Sequence, residues 1–129
     1  APRGTAGATL QAWDQLEEEF AVVYGDTLFD VDFARFIACH AADRPAAATL
    51  FLHPNDHPHD SDLVEMDGEG AVTAFHPYPH PEGVWLPNMV NAALYLVRRD
   101  ALAPWRDAAG QIEDPAGAIG VQVFPWSRL

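Results

Sequence analysis

The sequence predicts an α/β fold with a mixed, mainly parallel sheet flanked by helices, on three observations. "FAVVY", residues 20–24, and "AAATLFLH", residues 46–53, are short apolar runs rich in β-branched or aromatic side chains, the composition of strands buried on both faces. Between them "DVDFARFIACHAADRP" carries apolar residues at helical spacing, and a strand, helix, strand unit favours parallel pairing through a right-handed crossover. At 129 residues and 49% hydrophobic content, the chain has the apolar material for one core, which typically serves about 100–150 residues.

The elements follow in order. "ATLQAWDQLEEEF" sets Leu10, Trp13, Leu16 and Phe20 at steps of three and four, predicting one amphipathic helix entered through the glycine-bearing turn "GTAG" and capped by Thr9 or Gly7. The acidic run Glu17 to Glu19 falls where the helix macrodipole disfavours negative charge, so it reads as a solvated face. "FAVVY" ends at Gly25, and Asp26 stands just beyond the strand's carboxyl end. The second helix has Asp30 or Asp32 as cap, Phe33, Phe36, Ile37 and His40 on one side, and Pro45 after its end.

Beyond "AAATLFLH", the runs "DLVEM" and "AVTAF" flank "DGEG", a turn signal that predicts a small β-hairpin inserted in the fold. "HPYPHPEG" is a loop, "NMVNAALYLV" reads as a central strand, and "RDALAPW" as a short helix. The tail from residue 107 is poorly patterned. No repeat or linker divides the chain, so residues 1–129 form a single domain, or part of one.

Seven basic residues against nineteen acidic give a formal charge of −12, which repels a phosphate backbone or an anionic membrane surface and excludes both as partners. No apolar run reaches membrane-spanning length and no signal-peptide pattern is present, which predicts a cytoplasmic protein. Cys39 is the sole cysteine; it excludes an internal disulfide and reads as a buried, inert thiol. Oligomeric state is not legible.

An aspartate directly after a strand in an open α/β sheet points into the crevice where such sheets bind ligands. Asp26 is thus a candidate oxygen ligand for Mg²⁺, a metal that phosphate chemistry usually holds with one or two carboxylates plus substrate phosphates; the plainer reading makes Asp26 a turn residue. "GTAG" can lay backbone N–H groups against a base, ribose or phosphate, or be only a turn. "HPNDHPHDSD", residues 53–62, gathers His53, His57 and His59, and with His76 and His80 it invites a zinc hypothesis. Missing cysteine partners, rigid prolines and the lack of finger or zincin spacing weigh against zinc.

In order, "PRGTAGA", "VVYGDTLFDVD", "ATLFLHPNDHPHDSDLVEMDGEGAVTAF" and "NMVNAALYLV" resemble the sugar-phosphate nucleotidyltransferase family, most of all mannose-1-phosphate and heptose-1-phosphate guanylyltransferase-like proteins, across residues 2–103. The resemblance implies a Rossmann-like fold and transfer of a nucleoside monophosphate from an NTP, GTP by the likeness, to a sugar 1-phosphate with release of pyrophosphate. It implies Asp26 as the catalytic Mg²⁺ ligand. It assigns Gly4, Thr5, Ala6, Gly7 and Gly25 to the nucleotide and Asn91 to the sugar. Asp60, Ser61 and Asp62, on the loop leaving "AAATLFLH", become candidates for hydrogen bonds to sugar hydroxyls.

Four departures accompany the resemblance. The family's glycine-rich N-terminal triphosphate loop and a second metal aspartate have no counterpart here, Ala93 stands where many relatives have glycine, and "FHPYPHP" replaces a Glu-Lys-Pro segment. The expectation is a fragment truncated at both ends, inactive alone, of an enzyme with altered sugar contacts. A non-catalytic sugar- or metal-binding module of the same fold is the alternative.

Overall fold

A computed structural model describes residues 4–42, 46–106 and 121–125. It is an α/β structure: a six-stranded sheet with helices α1 (Gly4–Gln11), α2 (Phe33–Ala42) and α3 (Ala103–Arg106). The strands are β1 (Glu19–Val23), β2 (Ala48–His53), β3 (Leu63–Met66), β4 (Val72–His76), β5 (Val90–Arg98) and β6 (Val121–Pro125). Their order is β4-β3-β5-β2-β6, with β1 also paired to β5.

The sheet is mixed, as expected, but its balance is antiparallel. Among the described residues only β2 and β6 pair in parallel, while β5 is antiparallel to β1, β2 and β3, and β3 to β4. β1 and β2 do run in the same direction around α2, yet β5 lies between them. The crossover rule constrains direction and not adjacency, and the nine-residue β5 is long enough to serve strands on both edges.

That arrangement corrects the reading of "FAVVY" as a strand buried on both faces. Among the described residues β1 has a partner strand only in β5, and its residues alternate exposed and half-buried, with Val23 and Tyr24 open to solvent. Phe20 and Val22 face the core, the two-residue periodicity of a half-buried strand. By contrast β2 is buried from Ala48 through Leu52, and β5 is central, both as expected.

The first helix is shorter than its periodicity suggests. α1 stops at Gln11, Trp13–Gln15 tighten into a 3₁₀ turn, and Leu16 is extended (φ −84°, ψ 136°). Glu17 and Glu18 therefore lie on the approach to β1, and Glu19 and Phe20 belong to the strand. "GTAG" is the first turn of α1 and not a turn before it. In α2 the Asp32 carboxylate accepts the Arg35 N–H at 3.1 Å, as an N-cap does. Its buried positions are Phe36 and His40, whereas Phe33 and Ile37 face solvent. Pro45 lies outside the described residues.

Side chains alternate along the strands into two apolar layers. Leu50, Leu52, Val64 and Val97 form one, with Phe20, Val22, Phe75 and Tyr95 against them. Phe51, Ala92 and Leu94 form the other under Phe36 of α2, with half-buried Cys39 beside them and Phe36 edge-on to Phe51 at 6.2 Å. Full burial of side chains such as Phe36, Leu52 and Leu94 is worth about 1.5–3 kcal/mol each.

Arg98, 8% exposed, ties the sheet to α2. Its guanidinium donates to the His40 carbonyl at 2.7 Å, to the Ala46 carbonyl, and to Glu19 at 3.3 Å. A cation at the last turn of a helix also favours the macrodipole. The expected hairpin is β3–β4, and at its turn the Asp67 carboxylate accepts the N–H groups of Glu69 and Ala71, both at 2.9 Å. The tail read as unpatterned contributes β6, which completes the sheet beside β2; residues 107–120 and 126–129 lie outside the described set.

Candidate active site

The candidate site lies along one edge of β5, where two neighbouring strands part. Residues 94–98 of β5 pair with β1, Val90 pairs with Leu63 of β3, and Asn91–Ala93 lie between. Across the other edge, Tyr95 faces Leu50 and Asn91 faces Leu52, so four steps along β5 match two along β2. The excess is a bulge, and Ala93 at its centre has φ 57°, in the left-handed region that glycine favours.

Two backbone hydrogen bonds gather the flanking segments onto this bulge. Tyr24 N–H donates to the Ala93 carbonyl at 3.2 Å, and Asn91 N–H donates to the Asp62 carbonyl at 3.1 Å. The first holds the end of β1, and so the approach to Gly25 and Asp26. The second holds the start of the β3 segment. A parting of strands at their ends is where open α/β sheets form ligand crevices.

Asp26 is exposed, with the Thr27 hydroxyl donating to it at 3.5 Å. Gly25 is exposed too, and a Cβ built there meets nothing within 4 Å. Packing does not require glycine at that position, and its backbone is open to solvent. The exposed carboxylate oxygens of Asp26 suit a hard cation that completes its shell with phosphate and water oxygens. No group of three or more His, Cys, Asp or Glu side chains among the described residues is arranged to hold a metal.

Asn91 is fixed at both ends of its amide. Its Oδ1 accepts the Ala93 N–H at 3.3 Å, and its Nδ2 donates to the Tyr95 hydroxyl at 2.8 Å. Residues four apart on a regular strand are ~13 Å apart; the bulge at Ala93 shortens that reach. Burial pushes the Tyr95 hydroxyl up to about 12, opposed by the Asn91 bond and reinforced by Tyr24 and the Asp62 carboxylate. The Tyr24 and Tyr95 rings lie 6.3 Å apart.

The loop "HPNDHPHDSD" is knit by its own side chains. His57 Nδ1 pairs with Asp60 at 2.9 Å, Asn55 Nδ2 donates to the Ser61 hydroxyl at 3.1 Å, and Ser61 donates to the His57 carbonyl at 3.4 Å. Asn55 and Asn88 exchange two hydrogen bonds, Asn55 N–H to Asn88 Oδ1 at 3.1 Å and Asn88 Nδ2 to the Asn55 carbonyl at 2.7 Å. Asp62 Oδ1 accepts the Tyr78 N–H at 3.0 Å, which links this loop to "HPYPHPEG". Three further histidines have local partners: His53 with the Pro54 carbonyl, His76 with Glu65, and His80 with the His76 carbonyl.

Among the residues expected to act, the structure thus joins Asp62 to Asn91 and ties the strand end before Gly25 and Asp26 to Ala93. Asp60 and Ser61 lie on the same loop as Asp62 but bond within it. Gly4, Thr5, Ala6 and Gly7 lie in the first turn of α1. Tyr24 and Tyr95 escaped sequence reading, because alternation along a strand gives no sign of a bond between residues four apart. Near the other end of β5, an open cavity of about 1160 Å³ has Trp13, Glu17, Glu19, Arg98 and Arg99 in its wall. Its cations are engaged: Arg98 with Glu19, and Arg99 over the Trp13 ring at 5.9 Å.

Solved structures share this fold. The chain is similar to HddC from Yersinia pseudotuberculosis, with 18% identity and a TM-score of 0.70 over 97% of this chain and 54% of that one. A second HddC structure, complexed with GMP-PN, gives 16% and 0.67 over 97% and 54%. UDP-glucose pyrophosphorylase from Acinetobacter baumanii gives 20% identity and 0.73 over 97% of this chain and 50% of that one. The chain thus spans about half the length of these proteins. A family profile described as Nucleotidyl transferase matches residues 1–114. With that match over most of its length, the chain belongs to the nucleotidyl transferase family.

Proposed function

We propose that the protein carrying this chain transfers a nucleoside monophosphate from an NTP, GTP in our reading, to a sugar 1-phosphate. A phosphate oxygen of the sugar 1-phosphate attacks the α-phosphorus, the bond to the β-phosphate oxygen breaks, and pyrophosphate leaves. Such a displacement needs two polyanions held in line and their growing charge offset. The observation that carries the reading is the Tyr24–Ala93 hydrogen bond, which joins the strand end leading to Asp26 with the bulge next to Asn91.

Asp26 would hold Mg²⁺, which when bound neutralises phosphate charge. We assign the backbone of Gly4, Thr5, Ala6 and Gly7 to the nucleotide, since the first turn of a helix has N–H groups without helical partners, and Gly25 to the same ligand through its open backbone. Asn91 and Asp62 meet the sugar, with Asp60 and Ser61 on the same loop supplying further polar contacts. Activity belongs in this reading to the whole protein, in the cytoplasm, rather than to these 129 residues alone.

The test is pyrophosphate release by the whole protein across a panel of sugar 1-phosphates and the four Mg-NTPs. The expected result is turnover that requires both substrates, fastest with GTP. Sugar phosphate binding in calorimetry without turnover for any pair would favour the non-catalytic module instead.

A further inference from the structure

Asn91 has a donor and an acceptor left over. Its amide carries two N–H groups and two oxygen lone pairs; one N–H goes to Tyr95 and one lone pair takes the Ala93 N–H. Which way such an amide faces is decided by its partners. The Ala93 N–H can only donate, so it selects Oδ1, and the Tyr95 hydroxyl accepts from the opposite end. The partly buried Tyr95 ring packs against the core cluster that includes Leu50 and Val97, which anchors the hydroxyl at its end.

We propose that Tyr95 is a positioning residue, whose hydroxyl clamps the Asn91 amide so that its remaining N–H and lone pair meet two neighbouring hydroxyls of the sugar. One hydroxyl accepts from Nδ2 and the next donates to Oδ1, a pattern that suits a vicinal diol. A site built to pair with hydroxyls rejects an analogue lacking one, because its own polar groups are then left unpaired. The inference rests on the reading above that Asn91 meets the sugar, and adds the substrate feature being read and the residue that makes the reading precise.

The test is Tyr95→Phe in the whole protein, which keeps the packed ring and removes the oxygen. The expected result is a KM for the sugar 1-phosphate about tenfold higher, as loss of roughly one hydrogen bond predicts, with KM for the NTP and kcat within twofold. Discrimination against the monodeoxy sugar 1-phosphate should fall by a similar factor. In an Asn91→Ala background Tyr95→Phe should add nothing, since the two act as one unit. Equal rises in both KM values, or full additivity in the double variant, would overturn the proposal.

A second measurement needs no turnover: hydrogen exchange of the Asn91 side-chain amide by NMR. Tyr95→Phe should speed it severalfold, and an unchanged rate overturns the clamp by itself. Absence of transfer to every sugar 1-phosphate would instead remove the proposed function and the sugar contact built on it.

Discussion

The amide of Tyr24 donates to the carbonyl of Ala93 at 3.2 Å, and Ala93 is the one non-glycine residue with positive φ among the described residues. The hydrogen bond that holds the Asp26 segment therefore ends on a backbone conformation that alanine adopts only at a cost. That cost is local, and substitution can measure it.

Ala93→Gly should stabilise the protein by roughly 1 kcal/mol, because glycine escapes the clash between Cβ and carbonyl in left-handed backbone. Ala93→Val should destabilise by more than about 1 kcal/mol, since a β-branched side chain is a worse fit there. Urea unfolding midpoints with unchanged m-values check both signs.

Arg98→Met should cost about 2–3 kcal/mol. It retains much of the stem but leaves the carbonyls of His40, in the last turn of α2, and of Ala46, ahead of β2, without the guanidinium that both receive. Glu19→Gln should cost under about 1 kcal/mol, because Glu19 is partly exposed and its ion pair is screened. Thermal unfolding of the two variants separates the carbonyl contacts from the ion pair.

The loop of residues 54–62 should be pH-sensitive in a defined window. Its hydrogen bond and charge attraction to Asp60 raise His57 above its ordinary 6.5, and the bond to His57 holds Asp60 below 3.8. The raised histidine contributes order that is fully present below pH 6.5 and lost as pH rises through its higher folded value. The lowered aspartate contributes order present above pH 3.8 and lost as pH falls through its lower folded value. Loop amide protection, each rate taken against the intrinsic rate at the same pH, should be greatest between these limits, and Asp60→Asn should flatten the upper arm. Both groups are fully exposed, so the global melting temperature should barely follow.

Asp67→Ala should weaken the β3–β4 hairpin by about 1–2 kcal/mol, because one carboxylate serves two turn N–H groups, those of Glu69 and Ala71. Faster exchange confined to the β3–β4 hairpin, with the amides of β2 and β5 unchanged, would show the loss to be local.

The sequence announces what its periods encode. β2, the hairpin, β5 and α2 are legible because burial on both faces, a Gly-rich turn and a 3.6-residue stripe each leave a direct trace. The trace fails where two periods coincide: Leu16 and Phe20 fit a helical stripe, yet Leu16 is extended and Phe20 faces the core from β1. It fails again for strand adjacency, since nothing in β1 or β2 records that β5 lies between them. At the site, Asp26 stands out by following a strand and Asn91 by resemblance. Tyr95 does not, because its reach to Asn91 depends on the bulge at Ala93, a backbone feature that an alanine conceals where a glycine would have signalled it.

Asp26→Asn in the whole protein is the decisive measurement, read as Mg²⁺-dependent pyrophosphate release from NTP and sugar 1-phosphate, with circular dichroism as the check on folding. Removing the charge from an exposed carboxylate leaves the packing untouched, so the account predicts a native spectrum and a rate at least about a hundredfold lower. Release at the wild-type rate, with the same Mg²⁺ dependence, would contradict it.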